Sequence, residues 1–256
     1  MIRFEDVTKS LGGRVVLDEI NLDVKESEIV FVVGFSGAGK SVTLRHMVRL
    51  LTPDRGRVTV GDACISEAAG RELEMVRSRF GYLFQGSALL GWMTAGENVA
   101  LPLRETRKMK QAPAERLARE TLARVNLGDV FSKYPSELSG GMRKRVALAR
   151  AIVTTPDIIL YDEPTSGLDP VTSRSIDSLI TELRDSLGVT SVVVTHDLHS
   201  ALSIGSRILM LEGGKIVEDS TPEGFVHSEN EHVRSFLESQ YINRKGPWER
   251  KVLNGQ

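Results

Sequence analysis

A run of eight residues near the start of the chain has the types and the spacing that bind a polyphosphate. It reads GFSGAGKS: four residues separate Gly34 from Gly39, and Lys40 and Ser41 follow directly. Glycines let backbone N–H groups approach phosphate oxygens closely, and the helix expected next points its positive N-terminal end at the same anion. In this pattern the lysine reaches the β- and γ-phosphates, and the serine hydroxyl lies on Mg²⁺. The residues expected to bind a nucleoside triphosphate are Gly34, Phe35, Ser36, Gly37, Ala38, Gly39, Lys40, Ser41 and Val42.

The segments on either side of this loop have the form that such a site requires. EIVFVVG, residues 28–34, is a short apolar run with β-branched residues, which is typical of a strand buried on both faces. Residues 40–51 carry apolar side chains at helical spacing and stop before Pro53. The alternative is a glycine-rich turn with a surface lysine, and the strand–loop–helix context favours phosphate binding over it.

Two carboxylates stand at the end of a second buried-type strand. In IILYDEP, residues 158–164, Asp162 is expected to hold Mg²⁺ through its water shell, and Glu163 to polarise an attacking water. In a doubly wound sheet this strand end can lie beside the phosphate-binding loop. Acidic residues are also common where a strand simply ends in solvent, so the pair alone is weak evidence. Together with the loop it is strong.

LSGGM, residues 138–142, is a second candidate for binding an anion at a helix N-terminus. Ser139 and the two following glycines precede a helix with an apolar face of Val146, Leu148, Ala149 and Ile152. A simple phosphate-binding enzyme needs only one such cradle. Two in one chain suggest that each nucleotide is held by cradles from different subunits. An ordinary helix cap is the alternative, and it is the better interpretation of this segment taken alone.

Length and composition restrict the class of protein. The chain has 256 residues, 41% hydrophobic and 26% charged, as in a soluble globular protein of one large domain or two small ones. Its net charge of −1 gives no field that would attract nucleic acid. The one cysteine, Cys64, excludes an internal disulfide and fits a reducing compartment. No apolar run approaches the ~20 residues of a spanning helix, and the start has no secretion signal. We expect neither a membrane span nor secretion.

The remaining segments predict an α/β fold. Residues 1–25 predict two strands joined in a hairpin at LGG, and residues 207–217 predict a second hairpin that turns at Gly213–Gly214. Buried-type strands such as DIILY and VTSVVVT alternate with amphipathic helices. Strands separated by helices imply a mostly parallel sheet with helices on its faces. The charged, helix-rich stretch from about residue 70 to 155 has the composition of a helical insertion in this core.

Five segments occur in the order found in the ATP-binding subunits of ABC transporters: the phosphate-binding loop, LSGGM, LYDEP, SGLDP and VVVTHD. The resemblance is specific and implies one ABC ATPase domain of the P-loop NTPase class over residues 1–240. Its nucleotide-binding core would cover about 1–84 and 156–240, with antiparallel strands at the N-terminus. A helical subdomain would be inserted at about 85–155. The tail, 241–256, would contact the partner subunit.

The resemblance also implies the catalytic residues. Gln85, in YLFQ, is similar to the glutamine that contacts Mg²⁺ and the attacking water. Glu163 resembles the catalytic base, and His196 resembles the switch histidine that holds the γ-phosphate. Lys40 completes this set. The residues implied to hold Mg²⁺ are Ser41, Gln85 and, through water, Asp162.

Two further segments resemble those that join the two ATP sites of a dimer. The signature segment, expected to touch the γ-phosphate across the interface, is Ser139, Gly140, Gly141 and Met142. The D-loop, expected to connect the two sites, is Ser166, Gly167, Leu168 and Asp169. Two positions depart from the family pattern: Met142 stands where many members have Gln, and Leu11 stands where an aromatic residue usually stacks on adenine. Without the ring–ring contact, worth about 1 kcal/mol, base selectivity is less secure than phosphate binding.

The middle of the chain resembles one group within the family, the ATPases of the Mla and MCE lipid-transport systems. The segments that carry this resemblance are residues 87–105 and the LSGGM helix. It implies transport of phospholipid or another lipid, a homodimer on the cytoplasmic face of the inner membrane, permease subunits and an MCE-type lipid-binding partner. An apolar cluster after Gln85 is expected to receive the permease: Leu89, Leu90, Trp92 and Met93. These residues are equally good candidates for the core. Trp248 is expected to dock on the partner subunit, although a disordered tail fits as well.

Other functions remain open on the sequence alone. An importer of an amino acid or a metal would keep the ATPase and change only the cargo. A non-transport ABC ATPase, such as an iron–sulfur assembly factor, has a compatible length, and residues 87–105 count against it. A regulatory module without turnover is disfavoured by the presence of Glu163 and His196.

Overall fold

The computed structural model describes residues 1–242 of the 256-residue chain, so the predicted docking residue Trp248 lies outside the described part. The chain divides into two compact units. The first unit comprises Met1–Ala68 and the chain from Val192 onward, and the second comprises Ala69–Ser191. The domain limits implied by the family resemblance stay predictions. No helix within residues 1–242 is both long enough and apolar enough to cross a bilayer.

The first unit opens with the predicted hairpin. Strand β1 (Ile2–Leu11) pairs antiparallel with β2 (Arg14–Val24), and β1 also pairs with β4 (Arg55–Val60), which pairs with the short β5 (Ala63–Cys64). The turn between β1 and β2 consists of Gly12 and Gly13, with φ angles of 57° and 78° that favour glycine. Alternate residues of β1 and β2 are buried, which is why the sequence pattern identified both strands.

The second sheet of this unit carries the phosphate-binding loop. Strand β3 (Ile29–Val33), buried throughout, pairs parallel with β9 (Arg207–Glu212), and β9 pairs antiparallel with β10 (Lys215–Ser220). The strand order is β10-β9-β3-β8, where β8 (Thr190–Val194) runs across the boundary between the units. The helices are α1 (Lys40–Met47), α7 (Leu198–Ile204), α8 (Pro222–His227) and α9 (Glu231–Ser239).

Helix α1 is shorter than the predicted segment 40–51, and its end explains the difference. Arg49 adopts a left-handed φ of 51°, and the Leu50 amide donates to the Arg45 carbonyl at 2.8 Å. This pattern is the Schellman motif, in which an amide beyond the left-handed residue satisfies one of the last carbonyls of the helix. Apolar residues beyond Met47 therefore continue the periodic pattern without continuing the helix.

The second unit contains two strands and most of the helices. Strand β6 (Phe80–Leu83) pairs parallel with β7 (Ile158–Asp162). The helices are α2 (Gly70–Arg77), α3 (Ala95–Glu105), α4 (Gln111–Arg124), α5 (Gly140–Ile152) and α6 (Pro170–Leu187), with a single 3-10 turn at Pro135–Glu137. Helices α3, α4 and α5 pack on one another, and α5 also packs on β6 and α6. The predicted α/β fold with antiparallel N-terminal strands and helix-flanked parallel strands is confirmed.

Candidate functional site

The phosphate-binding loop begins where β3 ends. Gly34 has a φ of 146°, and a Cβ at this position would lie 2.3 Å from the Leu211 carbonyl oxygen of β9. A side chain would therefore push the loop away from the sheet. Gly39, at the other end of the loop, has a φ of 102°, and its Cβ would lie 2.8 Å from the Val16 carbonyl oxygen. Both positions require glycine, because a neighbouring carbonyl leaves no room for a Cβ and because φ is positive.

The N-terminus of α1 is arranged differently from those of other helices. Gly39 is its N-cap and supplies no side chain, and its first turn contains no acidic residue. By contrast, the N-caps Ser139 of α5 and Asp169 of α6 accept backbone N–H groups with their side chains. No N-cap side chain therefore occupies this end of α1, and a helix N-terminus of this kind is suited to binding an anion. This cradle fits the phosphates of a nucleotide.

Lys40 is held inside its own loop. Its Nζ donates to the Gly34 carbonyl at 2.8 Å and to the Phe35 carbonyl at 3.1 Å, and the residue is only 8% exposed. The ammonium group therefore lies over the turn that the glycines form. A compact charge at this position attracts a polyphosphate and also fixes the shape of the loop.

Helix α9 contacts the phosphate-binding loop through a pair of aromatic rings. The ring of Phe35 lies edge-on to that of Phe236, with centroids 5.0 Å apart and an interplanar angle of 72°. Phe236 is 2% exposed, whereas Phe35 is 40% exposed. Such edge-to-face pairs add about 0.5–1.5 kcal/mol beyond the area that they bury. No sequence pattern indicates this contact, because the two rings stand 201 positions apart in the chain.

Replacing Phe236 with Leu is expected to weaken ATP binding by up to about tenfold, since an energy of that size no longer fixes Phe35 in the loop. The measurement is the KM for ATP, with kcat expected to change little. Phe225→Leu in α8 is the matched control, because Phe225 is equally buried and belongs to another helix. The control should leave the KM for ATP unchanged. An unchanged KM in the Phe236 variant as well would show that α9 does not support the loop.

His196 and Leu11 also belong to the first unit. The Thr195 amide donates to the Val32 carbonyl at 3.2 Å, so His196 follows the end of a strand adjacent to the one that leads into Gly34. His196 is exposed, and the next residue, Asp197, caps α7 through His199 and Ser200. Leu11 ends β1 and is 39% exposed. The structure thus leaves both side chains accessible, as their predicted roles require.

In the second unit, β7 delivers the two predicted carboxylates. Asp162 is the last residue of the strand and is 5% exposed, and Glu163 follows at 8% exposed. Glu163 has a φ of 52°, a left-handed conformation that a residue with a Cβ adopts at a cost. Such conformations are concentrated at functional sites and persist where neighbouring contacts hold them.

Lys144, which the sequence analysis did not identify, lies against this turn. Its Nζ donates to the Glu163 carbonyl at 2.9 Å and to the Gln85 carbonyl at 2.7 Å. Burial lowers the pKa of Lys144, and the charges of Glu163 and Asp162 partly oppose that shift. Gln85 itself follows β6, and its side chain is exposed.

The residues after Gln85 form a clamped turn. Ser87 and Ala88 have left-handed φ angles of 63° and 47°, and the Arg150 guanidinium of α5 donates to both carbonyls, at 2.8 and 2.6 Å. Burial lowers the pKa of Arg150. Further along, Trp92 is 75% exposed, whereas the other predicted coupling residues, Leu89, Leu90 and Met93, are half-buried. The cluster thus serves the core and the surface at once.

Asn98 of α3 fixes this exposed segment from inside. It is fully buried; its amide nitrogen donates to the carbonyls of Leu90, Met93 and Thr94, and its oxygen accepts the Leu90 amide at 2.8 Å. One side chain therefore closes the loop that presents Trp92. No sequence pattern identifies Asn98, because its partners are backbone groups.

Asn98→Ala is expected to lower the free energy of unfolding by about 2–4 kcal/mol, because buried backbone groups lose their partners. The measurement is denaturant unfolding. Gln111→Ala, which removes an exposed amide that bonds to Glu115, is the control and should change the free energy by less than about 0.5 kcal/mol. Equal losses in the two variants would refute the role of Asn98.

The signature segment begins α5, and the D-loop begins α6. Ser139 Oγ accepts the Met142 amide at 3.3 Å, so Ser139 is the helix cap as well as the predicted contact for phosphate. A Cβ on Gly141 would lie 2.5 Å from Thr172 Cγ2 of α6, so close packing requires this glycine. Asp169 accepts the Thr172 hydroxyl and amide, which hold the pKa of its carboxyl below the usual value.

The residues predicted to hold Mg²⁺, Ser41, Gln85 and Asp162, carry oxygen donors, which suit this ion. Proteins commonly bind Mg²⁺ through one or two carboxylates together with the phosphates of the substrate. Among residues 1–242 there is no cluster of three or more His, Cys, Asp and Glu side chains that would hold a metal by itself. Phosphate oxygens and waters commonly supply the remaining ligands of such an ion.

Comparisons with known proteins place the chain in a family. The ABC transporter family model matches residues 17–166. The probable ribonucleotide transport ATP-binding protein mkl of Mycobacterium leprae is 38% identical over 250 residues, which cover 98% of this chain and 72% of that protein. The intermembrane phospholipid transport system ATP-binding protein MlaF of Haemophilus influenzae is 37% identical over 240 residues, covering 94% and 91%. The methionine import ATP-binding protein MetN 1 of Pectobacterium atrosepticum is 42% identical over 225 residues, covering 86% and 66%.

A solved structure agrees with these matches. The dimeric ATP-binding cassette MJ0796, in a post-hydrolysis state bound to ADP and Pi, has a TM-score of 0.80 and 36% sequence identity. The alignment covers 87% of this chain and 99% of that one. The chain therefore belongs to the ABC transporter family. It is an ATP-binding subunit with the predicted cassette fold, and it hydrolyses ATP.

Proposed function

We propose that this chain powers a transporter that moves phospholipid or another lipid across a bacterial envelope. The observation that carries this assignment is the match to a phospholipid transport ATPase, which spans nearly the whole of both proteins. The methionine import relative has the higher identity, 42% against 37%, and supports a second candidate, an importer of a polar solute. The match covers only 66% of that relative, against 91% of the phospholipid transport ATPase, so we favour the lipid.

The proposed chemistry assigns one task to each group. Backbone amides of the loop and Lys40 bind the β- and γ-phosphates of ATP. Glu163 takes a proton from the attacking water, and His196 holds the γ-phosphate while the bond to the leaving ADP breaks. Ser41, Gln85 and Asp162 would hold Mg²⁺, which when bound neutralises charge on the phosphates. Leu11 would pack on the base.

The proposed partners follow from the surfaces that the motifs use. Two copies form a dimer in which Ser139, Gly140, Gly141 and Met142 of one copy meet the γ-phosphate in the other, and the D-loop connects the sites. The exposed Trp92, with its half-buried neighbours, receives a helix from a permease. The chain would then lie on the cytoplasmic face of the inner membrane, held there by the permease. An MCE-type lipid-binding subunit completes the system.

The cargo can be tested by gentle extraction of the tagged chain from its native membranes, followed by mass spectrometry of the proteins and lipids that co-purify. A polytopic permease with an MCE-type protein and bound phospholipid is the expected result. A permease with a soluble binding protein for a polar solute would overturn the cargo and keep the ATPase. A complex without a permease would overturn the transport assignment.

A further inference from the structure

Lys144 is a buried cation that none of the motifs explains. It lies in the second turn of α5 and is only 5% exposed. Burying an ammonium group is costly unless hydrogen bonds compensate for the lost water. Its two hydrogen bonds, to the carbonyls of Gln85 and Glu163, join points that are 59 and 19 residues away along the chain.

Both acceptors belong to residues whose side chains are proposed to act on the attacking water. The bonds are made to backbone carbonyls, so Lys144 fixes the main chain at Gln85 and at Glu163 without occupying the amide or the carboxylate. At Glu163 the main chain has the left-handed φ of 52°, a conformation that needs contacts to hold it. The Lys144 hydrogen bond is one such contact.

A second cation of α5 acts on the same segment. The Arg150 guanidinium, nearly two helical turns later, donates to the carbonyls of Ser87 and Ala88. Lys144 and Arg150 together thus hold the main chain at Gln85, Ser87 and Ala88. These are three of the four positions from Gln85 to Ala88. Arg145, next to Lys144, instead donates to the Ser175 hydroxyl at 2.6 Å. The two clamping cations therefore differ in function from their neighbour on the same helix.

We propose that Lys144 is a positioning residue for ATP hydrolysis, which holds the main chain of Glu163 and Gln85 in one fixed arrangement. This inference rests on the proposed role of Glu163 as the base. A displacement of about 1 Å at a catalytic group can cost about 100-fold in rate. The ammonium group acts through Glu163, so its removal should matter only while Glu163 can accept the proton.

The test is a double-mutant cycle with Lys144→Met and Glu163→Gln in the full chain, followed by release of phosphate from ATP. Lys144→Met leaves an unbranched side chain that is one atom shorter and removes its donors. We expect kcat to fall by about 10- to 100-fold and the KM for ATP to change by less than about threefold. In the Glu163→Gln background the same change should lower the residual rate by less than about threefold. Arg145→Met, the matched control in α5, should keep kcat within about twofold of the wild type.

The outcomes separate the hypotheses. Equal loss of rate in both backgrounds would show that Lys144 acts independently of Glu163 and would overturn the proposal, as would a wild-type kcat for Lys144→Met. An Arg145→Met variant as slow as Lys144→Met would also overturn it, since any lost charge on α5 would then suffice. A wild-type rate for Glu163→Gln alone would instead refute the role of Glu163. If Lys144→Met does not fold, Lys144→Gln, which keeps N–H donors on a shorter chain, goes through the same cycle and is judged by the same non-additivity.

Discussion

Replacing Glu163 with Gln is expected to lower kcat for ATP hydrolysis by about 10²- to 10⁴-fold while ATP binding is retained. The amide has the shape of the carboxylate and cannot take a proton from water, and general base catalysis contributes a factor of this size. Because β7 is buried up to Asp162 and the turn at Glu163 is held by Lys144, the substitution should leave the fold unchanged. The measurement is phosphate release under saturating ATP.

The same variant should accumulate as an ATP-bound dimer, because the step that reopens the dimer no longer occurs. Size-exclusion chromatography with and without ATP reports this state. Glu182→Gln is the control: Glu182 is exposed on α6, where its backbone carbonyl accepts the Ser186 hydroxyl, and loss of its carboxylate charge should affect neither rate nor assembly. Turnover at the native rate by Glu163→Gln would show that another group is the base.

The features that could be predicted from the sequence are those whose cause is local. The loop around Lys40 can be predicted because close backbone approach requires glycine at positions 34 and 39, and no other residue satisfies that geometry. The hairpin of β1 and β2 and the buried strand β3 were identified for similar reasons, through alternation or continuous apolar character over a few residues. In each case the physical demand and the residues that meet it lie within one segment.

The contacts that support the site could not be predicted, because their partners are distant or are backbone groups. Lys144 looks like an ordinary basic residue in a charged helix until α5 packs on β6 and its ammonium group meets two carbonyls. Asn98 carries no motif, and only the folded loop gives its amide four partners. Phe236 stands in a short helix that the sequence analysis did not identify. Tertiary packing decides all three positions, and side-chain type alone does not report packing.

Lys40→Ala is expected to lower ATP hydrolysis by about 100- to 1000-fold, since loss of one preorganised donor to a reacting phosphate has an effect of that order. The structure adds a second reason. Lys40 also bonds the Gly34 and Phe35 carbonyls, so its removal loosens the loop in addition to deleting a charge. Hydrolysis and nucleotide binding should therefore fall together, in contrast to Glu163→Gln. Titration with a fluorescent ATP analogue, beside phosphate release, distinguishes the two patterns.

Lys40→Ala also provides a test of the dimer when it is mixed with Ser139→Ala. Each variant alone lacks one half of both ATP sites if the signature segment acts across the interface. A mixed dimer instead contains one site with an intact loop and an intact partner signature, because both defects fall in the other site. Activity should therefore rise on mixing, towards the level of one working site per mixed dimer. Ser139 caps α5 through the Met142 amide, and Ser139→Gly removes the hydroxyl at little cost to the helix, so this variant repeats the experiment without a cap defect. No recovery with either Ser139 variant would contradict the shared site, and the signature would then be only the cap of its own helix.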